Sequence, residues 1–371
     1  MKTLSSRGKA TALAAFATAV LLSGCTPAPE MEQATTPAPV SSTPETPSAQ
    51  GVPQGDPTVL ASGLVTPWSV AFAGETALIS ERDTGNILEL TGDTTRVVGT
   101  IDDIVQQGES GLLGIAVDEQ QRLYAYSTGP DGNRIQRFAL DGEPGSLTLG
   151  VPETVVDGIP AASYHDGGRI AFGPDGMLYA TTGDAGGREN AQDLDNLAGK
   201  ILRMTPDGAA PDDNPFPDSL VYSYGHRNPQ GIAWADDGTL FATEFGQNTW
   251  DELNIITPGS NYGWPVVEGI GENLDYVDPV QQWTPEEASP SGIAVVGGTV
   301  FIANLRGQTL RAVPVADPST STDYFSDTYG RLRHVAEAPD GTLWFLTSNT
   351  DGYGSGPRDG DDRILSIPFT N

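Results

Sequence analysis

One histidine and one aspartate stand at the two ends of a predicted hairpin, where they could act together. His165 precedes a predicted strand, and Asp184 follows the next one, nineteen residues later. Because a hairpin returns the chain to the level at which it left, both side chains are expected at one rim of the fold. A histidine oriented by a carboxylate is suited to act as a general base. A structural hydrogen bond between two loops would show the same spacing, so the pair alone leaves both interpretations open.

Arginines form a second group, in a chain with 19 basic and 49 acidic residues. Four of them occupy similar positions in the repeated units described below, so we expect them to converge near the centre of the fold: Arg227, Arg306, Arg331 and Arg333. The last two alternate along a predicted strand and therefore lie on one face. Convergent guanidinium groups suit a ligand with several carboxylates, which they bind through bidentate hydrogen bonds. Four separate ion pairs with an acidic surface are the alternative.

A third group lies in the segment Glu244–Asn254, which is followed by Asn261–Pro265. Glycine-containing turns can expose carbonyl oxygens, and these oxygens suit calcium when carboxylates are nearby. The spacing is not that of an EF-hand, so the segment alone is a weak indication of a calcium site.

Six similar runs of residues predict the elements that must position these groups. Each run places an alanine between larger residues, at intervals of 42 to 62 residues: Val70-Ala71-Phe72, Ile115-Ala116-Val117, Ile170-Ala171-Phe172, Ile232-Ala233-Trp234, Ile293-Ala294-Val295 and Val335-Ala336-Glu337. Several runs continue through an Asp-Gly turn into a second apolar strand, which is a strong hairpin signal. A unit of this length that recurs six times predicts an all-β fold, a six-bladed β-propeller of four-stranded blades. A sandwich or a solenoid would suit the hairpin spacing less well.

A ring of blades needs one blade built from both ends of the chain. We expect Thr58–Ala61 to pair with the last strands around Ile364–Ile367, so the predicted propeller domain covers residues 58–371. One segment, Asn190–Ala198, has a helical pattern and is expected to form an excursion on a face of the ring.

Residues 1–25 resemble a bacterial lipoprotein signal. Lys2, Arg7 and Lys9 precede an apolar run too short to span a bilayer, and the run ends in Leu22-Ser23-Gly24-Cys25, which resembles a lipobox. Lipidation of Cys25 would hold an exported protein at the outer face of the cell membrane, or in the periplasm, without a spanning helix. An ordinary cleaved signal is the alternative. Residues 26–57, rich in Pro, Thr and Ser, predict a solvated, disordered tether.

The composition excludes several classes of partner. A formal charge of −30 argues against nucleic acid, whose phosphates require clustered cations, and against electrostatic docking on anionic lipid. The expected contact with a membrane is therefore limited to the lipid anchor. The single cysteine excludes an intrachain disulfide.

The motifs taken together resemble the glucose/sorbosone dehydrogenases, a family that contains the soluble quinoprotein glucose dehydrogenases and the aldose sugar dehydrogenases. The resemblance runs in order from about Val65 to Ile367 and rests on seven short segments: Gly108–Gly114, the hairpin from His165 to Asp184, Gly199–Arg203, Gly225–Gly231, Asp251-Glu252 with Asn254, Asn261–Pro265 and Arg331-x-Arg333. It implies a six-bladed propeller that uses pyrroloquinoline quinone (PQQ) and calcium, which agrees with the blade count derived independently.

The resemblance also implies a role for individual residues. His165 matches the base that takes a proton from the anomeric hydroxyl of the sugar while hydride passes to the quinone, and Asp184 matches the carboxylate that supports it. Glu109 matches a residue that lies near the sugar in the family. Further matches are to residues around PQQ (Arg227, Asn228, Arg306, Arg331 and Arg333), to the backbone ligands of its calcium (the carbonyls of Gly246 and Gln247), and to a second, structural calcium site (Glu252 and the carbonyl of Tyr262).

The chain departs from the glucose-specific branch of that family at four of these places. Glu109 stands where glutamine is frequent, and Arg306 stands where the branch carries lysine. Gln247 replaces the usual proline, which a backbone ligand tolerates, and Phe245 replaces a polar residue that could contact the cofactor. These differences argue against assuming glucose as the substrate.

The leading hypothesis is a PQQ- and calcium-dependent aldose dehydrogenase that produces aldonolactones. A calcium-dependent lactonase on the same fold would need side-chain carboxylates around a central metal and would not use the arginines. A non-catalytic binding propeller at the cell surface would be expected to have lost the histidine–carboxylate pair or the calcium turn. The sequence identifies neither the preferred aldose nor the electron acceptor.

Overall fold

Strands make up nearly all of the regular structure in the computed structural model, which describes residues 51–370. The predicted signal with Cys25, and residues 26–50 of the predicted tether, lie outside the described residues. The strands are β1 (Val52–Pro53), β2 (Thr58–Ser62), β3 (Pro67–Ala73), β4 (Thr76–Glu81), β5 (Asn86–Thr91), β6 (Thr94–Thr100), β7 (Leu112–Val117), β8 (Arg122–Gly129), β9 (Gly132–Asp141), β10 (Thr148–Leu149), β11 (Glu153–Ile159), β12 (Ile170–Phe172), β13 (Leu178–Thr182), β14 (Lys200–Met204), β15 (Val221–Tyr224), β16 (Pro229–Trp234), β17 (Leu240–Glu244), β18 (Asp251–Ile256), β19 (Gln281–Trp283), β20 (Pro290–Val296), β21 (Thr299–Asn304), β22 (Leu310–Pro314), β23 (Thr322–Tyr324), β24 (Leu332–Glu337), β25 (Leu343–Thr347), β26 (Arg363–Ile367) and β27 (Phe369–Thr370).

Six antiparallel sheets follow one another along the chain and close into a ring. Blades 1 to 5 begin with β3, β7, β12, β16 and β20, and blade 6 contains β24, β25, β26 and β2. In blade 2 the outer position is shared, because β10 and β11 both pair with β9. Each first strand packs against the first strand of the next blade, and β24 packs against β3. The predicted six-bladed β-propeller is confirmed.

The six repeated alanines lie in the first strand of each blade, where neighbouring sheets approach one another most closely. Together with their neighbours they line an axial cavity of about 580 Å³. The residue before each alanine enters a different one of six hydrophobic clusters: Val70, Ile115, Ile170, Ile232, Ile293 and Val335. Since side chains alternate along a strand, a small residue faces one side near the axis and a large one fills the core on the other.

Both ends of the described chain complete blade 6. β2 pairs with β26, with Thr58 opposite Ser366 and Val59 opposite Leu365, as expected. A second pairing joins β1 to β27, with Val52 opposite Thr370. Residues 51–57, which composition assigns to the tether, therefore contribute a strand, and the regular structure starts before Thr58.

The segment with a helical pattern forms only one short 3-10 helix, Arg188–Gln192, instead of a helix over Asn190–Ala198. Its polar side chains bond the nearby backbone. Asp193 accepts from the N–H of Asp195, and Asn196 accepts from the N–H of Ala198. Such local bonds compete with the helical pattern and explain the difference. Among the described residues there is no helix long and apolar enough to cross a membrane.

Lys200 ties this excursion to blade 3. Its buried ammonium donates to three backbone oxygens, those of Asn190 at 2.7 Å, Ala191 at 3.2 Å and Ala198 at 2.6 Å. Burial lowers its pKa from 10.5 to about 8. The side chain therefore replaces the hydrogen bonds that an α-helix would have formed.

Replacing Lys200 by methionine is expected to lower the free energy of unfolding by about 2–4 kcal/mol, because three buried carbonyls lose their donor. Urea denaturation at pH 7 measures this, with Arg358→Met, a change at an exposed arginine, as the control. The unfolded chain keeps the lysine proton to a higher pH than the folded one, so the lysine makes wild-type stability rise between pH 8 and 10.5. That rise should be missing in Lys200→Met, and equal curves for both proteins would contradict this account.

Candidate active site

The hairpin of blade 3 brings His165 and Asp184 into direct contact. β12 and β13 pair with Ile170 opposite Ala180, so the residues before β12 and after β13 reach the same rim. The Nδ1 atom of His165 lies 2.7 Å from Oδ1 of Asp184. The histidine side chain keeps 13 % of its surface exposed, whereas the aspartate is almost completely buried. The carboxylate thus fixes the ring and leaves Nε2 as the basic nitrogen.

The backbone at His165 is held in an unusual conformation. Its φ of 64° lies in the left-handed region, which non-glycine residues rarely adopt. Two contacts maintain it: the N–H donates to Oε2 of Glu109 at 3.1 Å, and the carbonyl accepts from the N–H of Ala185 at 3.2 Å. Gly183 passes so close that an added Cβ would lie 2.0 Å from the His165 carbonyl oxygen. This crossing requires glycine and sets the direction of the imidazole.

Asp184 has a full set of hydrogen-bond donors. Besides His165, it accepts from the N–H of Gly186 at 2.8 Å and from the indole Nε1 of Trp264 at 2.9 Å. Burial alone would raise the pKa of Asp184, but His165, Trp264 and the Gly186 N–H together hold it below its ordinary value. The carboxylate therefore stays ionised at neutral pH, opposite the histidine.

His165 faces a cavity of about 400 Å³. Its wall also contains Tyr164, Asp184, Gly186, Arg188, Arg227, Gln247 and Trp264. Arg227 donates to the carbonyl of Phe245 at 3.1 Å and lies 5.4 Å from the centre of the Trp264 ring. Burial lowers the pKa of Arg227, and its Nε atom has no hydrogen-bond partner among residues 51–370. This cavity therefore combines a base with a partly buried cation.

A second cavity, of about 360 Å³, adjoins the first at the turn after His165 and contains most of the predicted arginines. Arg306, Arg331 and Arg333 line it, as do Glu109 and Phe245. The sequence did not point to four further lining residues, which are Trp68, Arg82, Gln230 and Tyr353. Arg227 thus stands apart from the other three predicted arginines.

Asp351 is the carboxylate that holds two of these arginines together. Arg331 Nη2 lies 2.9 Å and Arg333 Nη2 lies 3.4 Å from Oδ2 of Asp351. Burial lowers the pKa of Arg333 to about 10, and its Nε atom has no partner among the described residues. Arg306 is half exposed and pairs with Glu286 at 2.7 Å. The cavity wall itself carries four arginines, Arg82 among them, and two acidic residues, Glu109 and Asp166, so cations outnumber acids there.

Arg82 and Asp351, which sequence analysis missed, occupy the same position in their blades as Asp184, which it found. Arg82 follows the second strand of blade 1, and Asp351 follows the second strand of blade 6, as Asp184 follows that of blade 3. The position of a residue relative to the strands of its blade could have identified them from the sequence, because the residues before the first strand and after the second strand share a rim. Trp264 offered no such signal, since it reaches Asp184 across 80 residues of sequence.

Asn228 lies behind the wall and lines neither cavity. It is fully buried, accepts from the N–H of Gly167 at 3.0 Å and donates to Oε2 of Glu109 at 3.2 Å. Its match to a residue around PQQ stays a prediction. It holds two residues of the cavity wall, Gly167 and Glu109, in place.

The predicted calcium turn is wrapped around a carboxylate. Oε1 of Glu268 accepts from four successive N–H groups, those of residues 247 to 250. Burial would raise the pKa of Glu268, but these donors hold it below its ordinary value. With the N–H groups directed at Glu268, the carbonyl oxygens of Gly246 and Gln247 accept no hydrogen bond within residues 51–370. Unpaired carbonyl oxygens fit the proposed backbone ligands.

The second predicted calcium site lies among buried acids. Burial and the nearby charge of Glu244 raise the pKa of Glu252 to about 8. Asn254 donates to both glutamates, and its own Oδ1 has no partner among the described residues. His226 joins this group through Glu244 at 2.9 Å and stacks on the ring of Tyr262. Two carboxylates and an unpaired amide oxygen fit a cation.

The other two histidines have structural positions. His226 is fully buried between Ser223 and Glu244. His334 lies within β24 rather than in a loop, and its Nδ1 accepts from the N–H of Val70 at 2.9 Å. Burial and the neighbouring Arg169 lower the pKa of His334 well below its ordinary value, so the ring is neutral.

Comparisons with known proteins agree with this geometry. A structure of the PQQ-bound aldose sugar dehydrogenase of Streptomyces coelicolor superposes with a TM-score of 0.83 and 47% identity, covering 88% of this chain and 100% of that one. The aldose sugar dehydrogenase YliI of Escherichia coli (strain K12) is 30% identical over 79% of this chain and 90% of its own length. Quinoprotein glucose dehydrogenase B of Acinetobacter calcoaceticus is 32% identical over 60% of this chain and 54% of its own.

A match to a protein family covers most of the propeller. Residues 64–354 match the family described as glucose/sorbosone dehydrogenase, a range that includes every residue of the two cavities. Solved structures of gluconolactonases share the propeller at 16% identity, which shows the fold alone. The chain therefore belongs to the glucose/sorbosone dehydrogenase family.

Proposed function

We propose that the protein is a PQQ- and calcium-dependent dehydrogenase that oxidises the anomeric carbon of aldose sugars to aldonolactones. The observation that carries the proposal is the juxtaposition of the His165–Asp184 pair with a cavity lined by four arginines. The name of the Streptomyces coelicolor relative, which includes PQQ, supports this choice of cofactor.

The arginine-lined cavity fits a ligand with three carboxylates, such as PQQ. Arg82, Arg306, Arg331 and Arg333 line the cavity and would pair with its carboxylates. Arg227 and Asn228 remain predicted neighbours of the cofactor. The carbonyls of Gly246 and Gln247 would hold its calcium, and Glu252 with the carbonyl of Tyr262 a second, structural calcium. When bound, PQQ supplies a two-electron oxidant for the hydride of the sugar, and calcium supplies Lewis-acid polarisation.

His165 provides the proton transfer in this proposal. Its Nδ1–H donates to Asp184, so Nε2 carries the lone pair that takes the proton from the anomeric hydroxyl. The ionised Asp184 stabilises the imidazolium that forms, and Trp264 keeps the carboxylate from rotating. Loss of this proton from oxygen and of hydride from carbon converts the hemiacetal to a lactone.

Glu109 is placed to orient the sugar. Its Oε2 atom accepts from the His165 N–H and from Asn228, which holds the carboxylate beside the base. Carboxylates accept hydrogen bonds from sugar hydroxyl groups, so Glu109 would position the anomeric carbon.

The two alternatives have less support. A calcium-dependent lactonase would need converging acidic ligands, and no group of three or more His, Cys, Asp or Glu side chains suited to a metal occurs within residues 51–370. A non-catalytic propeller would not need the His165–Asp184 contact, which the chain retains.

We also propose that the protein is exported and lipid-anchored at the outer face of the bacterial cell membrane, or in the periplasm. The support is in the sequence, where the only cysteine falls at the end of the apolar run. A cofactor loaded outside the cytoplasm and an electron acceptor near the membrane would suit this location.

Reconstitution tests the proposed function. The purified protein is expected to reduce an acceptor dye with a panel of aldoses only when both PQQ and calcium are added. His165→Ala should lower kcat by about 10²- to 10⁴-fold, because general-base catalysis contributes that range. Asp237→Asn, a change at an exposed turn, is the control. Failure to bind PQQ would overturn the cofactor assignment, and turnover that survives His165→Ala would overturn the role of the base.

Asp184→Asn tests the support of the base. Loss of the charge that stabilises the imidazolium, and of the acceptor that fixes the ring tautomer, should lower kcat by about 10²- to 10⁴-fold. Because the pKa of Asp184 is held low, wild-type activity should not change with protonation of this carboxylate near neutral pH. A pH profile of kcat for both proteins measures this. Equal kcat values would show that Asp184 does not support catalysis.

Cys25→Ser tests the anchor. The full chain is expected in the membrane fraction of a bacterial host, and the variant in the soluble fraction, because two or more acyl chains are needed for stable anchoring. Mass spectrometry should find the acyl groups on Cys25. An unmodified wild-type protein in the soluble fraction would contradict the lipoprotein assignment.

A further inference from the structure

Arg188 also lines the cavity of His165, and its guanidinium has neither an ion pair nor a hydrogen bond to any residue among 51–370. It is exposed on the 3-10 helix Arg188–Gln192, and its guanidinium carbon lies 4.5 Å from the centre of the Trp264 ring. Among residues 51–370 every other arginine has an ion pair or a side-chain hydrogen bond, and Arg188 has neither. In a chain with 49 acidic and 19 basic residues, a guanidinium without a partner is unexpected.

The position of Arg188 is fixed relative to the proposed base. Trp264, on which it stacks, donates its indole N–H to Asp184, and Asp184 holds His165. The backbone of the 3-10 helix is tied down by Lys200 through the carbonyls of residues 190 and 191. Arg188 and the catalytic pair therefore share one rigid support.

The charge of this cavity favours an anion. Its lining contains two arginines, Arg188 and Arg227, and Asp184 is its single carboxylate. Both oxygens of Asp184 are already used by the imidazole, the Gly186 N–H and the indole. A neutral sugar could offer the Arg188 guanidinium only hydroxyl oxygens as acceptors, without a compensating charge. An anionic substituent would pair with it through charge-assisted hydrogen bonds.

The overall charge makes a local cation necessary for an anionic substrate. A formal charge of −30 repels anions over the Debye length, so an anionic substrate requires a local cation at the entrance to the site. Arg188 supplies that cation at an exposed position of the cavity wall.

We propose that the preferred substrates are aldoses with an anionic group remote from the anomeric carbon, and that Arg188 binds this group. The chemistry is that of a uronic acid carboxylate or of a sugar phosphate ester. The proposal rests on the proposed dehydrogenase function and specifies its substrate class.

The test compares kcat/KM for glucuronate, glucose 6-phosphate and glucose in the reconstituted enzyme. One of the two anionic sugars should exceed glucose, and which one does so identifies the anion. Arg188→Gln should lower the ratio of that sugar to glucose by about tenfold, the size expected for one charge-assisted pair at a partly exposed site. Arg358→Gln removes the same charge from another exposed arginine that lines neither cavity, and it should leave the ratio unchanged.

The outcomes separate this inference from the function on which it rests. Turnover of neutral aldoses with the same ratio in wild type and Arg188→Gln would overturn the inference and leave the dehydrogenase intact. If no sugar is oxidised, calorimetric titration of the cofactor-free protein with glucuronate and with glucose 6-phosphate tests the anion site directly. Binding of either one that weakens about tenfold in Arg188→Gln but not in Arg358→Gln would support the anion site, and equal or absent binding would overturn it.

Discussion

The burial of each sheet against its neighbour is the constraint on which the rest of the structure depends. Each hydrophobic cluster draws residues from at least two adjacent blades, so a blade cannot bury both of its faces alone. The cluster between blades 6 and 1 combines Ala61 and Ile364 with Val70 and Ile79. Ala61 comes from β2, which pairs with β26. The ring therefore closes through the same contact that joins the two ends of the described chain.

Closure of the ring also assembles the site. Most residues that line the two cavities lie just before or at the start of the first strand of a blade, or after its second strand, so each blade contributes to one rim. Asp351 of blade 6 pairs with Arg331 and lies beside Arg82 of blade 1, whose guanidinium donates to the Asp351 carbonyl at 3.4 Å. This contact crosses the closure point. A cavity of this kind cannot form in an open array of blades, since its walls come from positions hundreds of residues apart.

The sequence was sufficient to predict the features set by local periodicity. The repeated alanine predicted six blades, and the Asp-Gly turns predicted hairpins, because both follow from alternation along a strand. The same alternation predicted that His165 and Asp184 would share a rim. Contacts such as Trp264 with Asp184, or Asp351 with Arg333, depend on loop length and on ring closure, so no local pattern revealed them. The helical pattern of Asn190–Ala198 gave a wrong prediction, because Lys200 and local polar side chains form the hydrogen bonds to the backbone that a helix would have supplied.

Two neighbouring buried arginines show how fold and ligand are energetically linked: Arg333 lines the arginine cavity, and Arg169 lines the axial cavity. Arg169 is fully buried, donates to the Gln230 carbonyl and to Ser69, and lies 4.0 Å from the centre of the Trp68 ring. Burial and the neighbouring Arg333 lower its pKa well below the ordinary value. Two buried cations so close together destabilise the folded protein, and the aromatic face offsets only part of that cost. A ligand with several carboxylates in the arginine cavity would pair with Arg333 and reduce the repulsion. In the proposed function, cofactor binding therefore stabilises the fold as well as completing the site, because the ligand binds the native ring and not the unfolded chain.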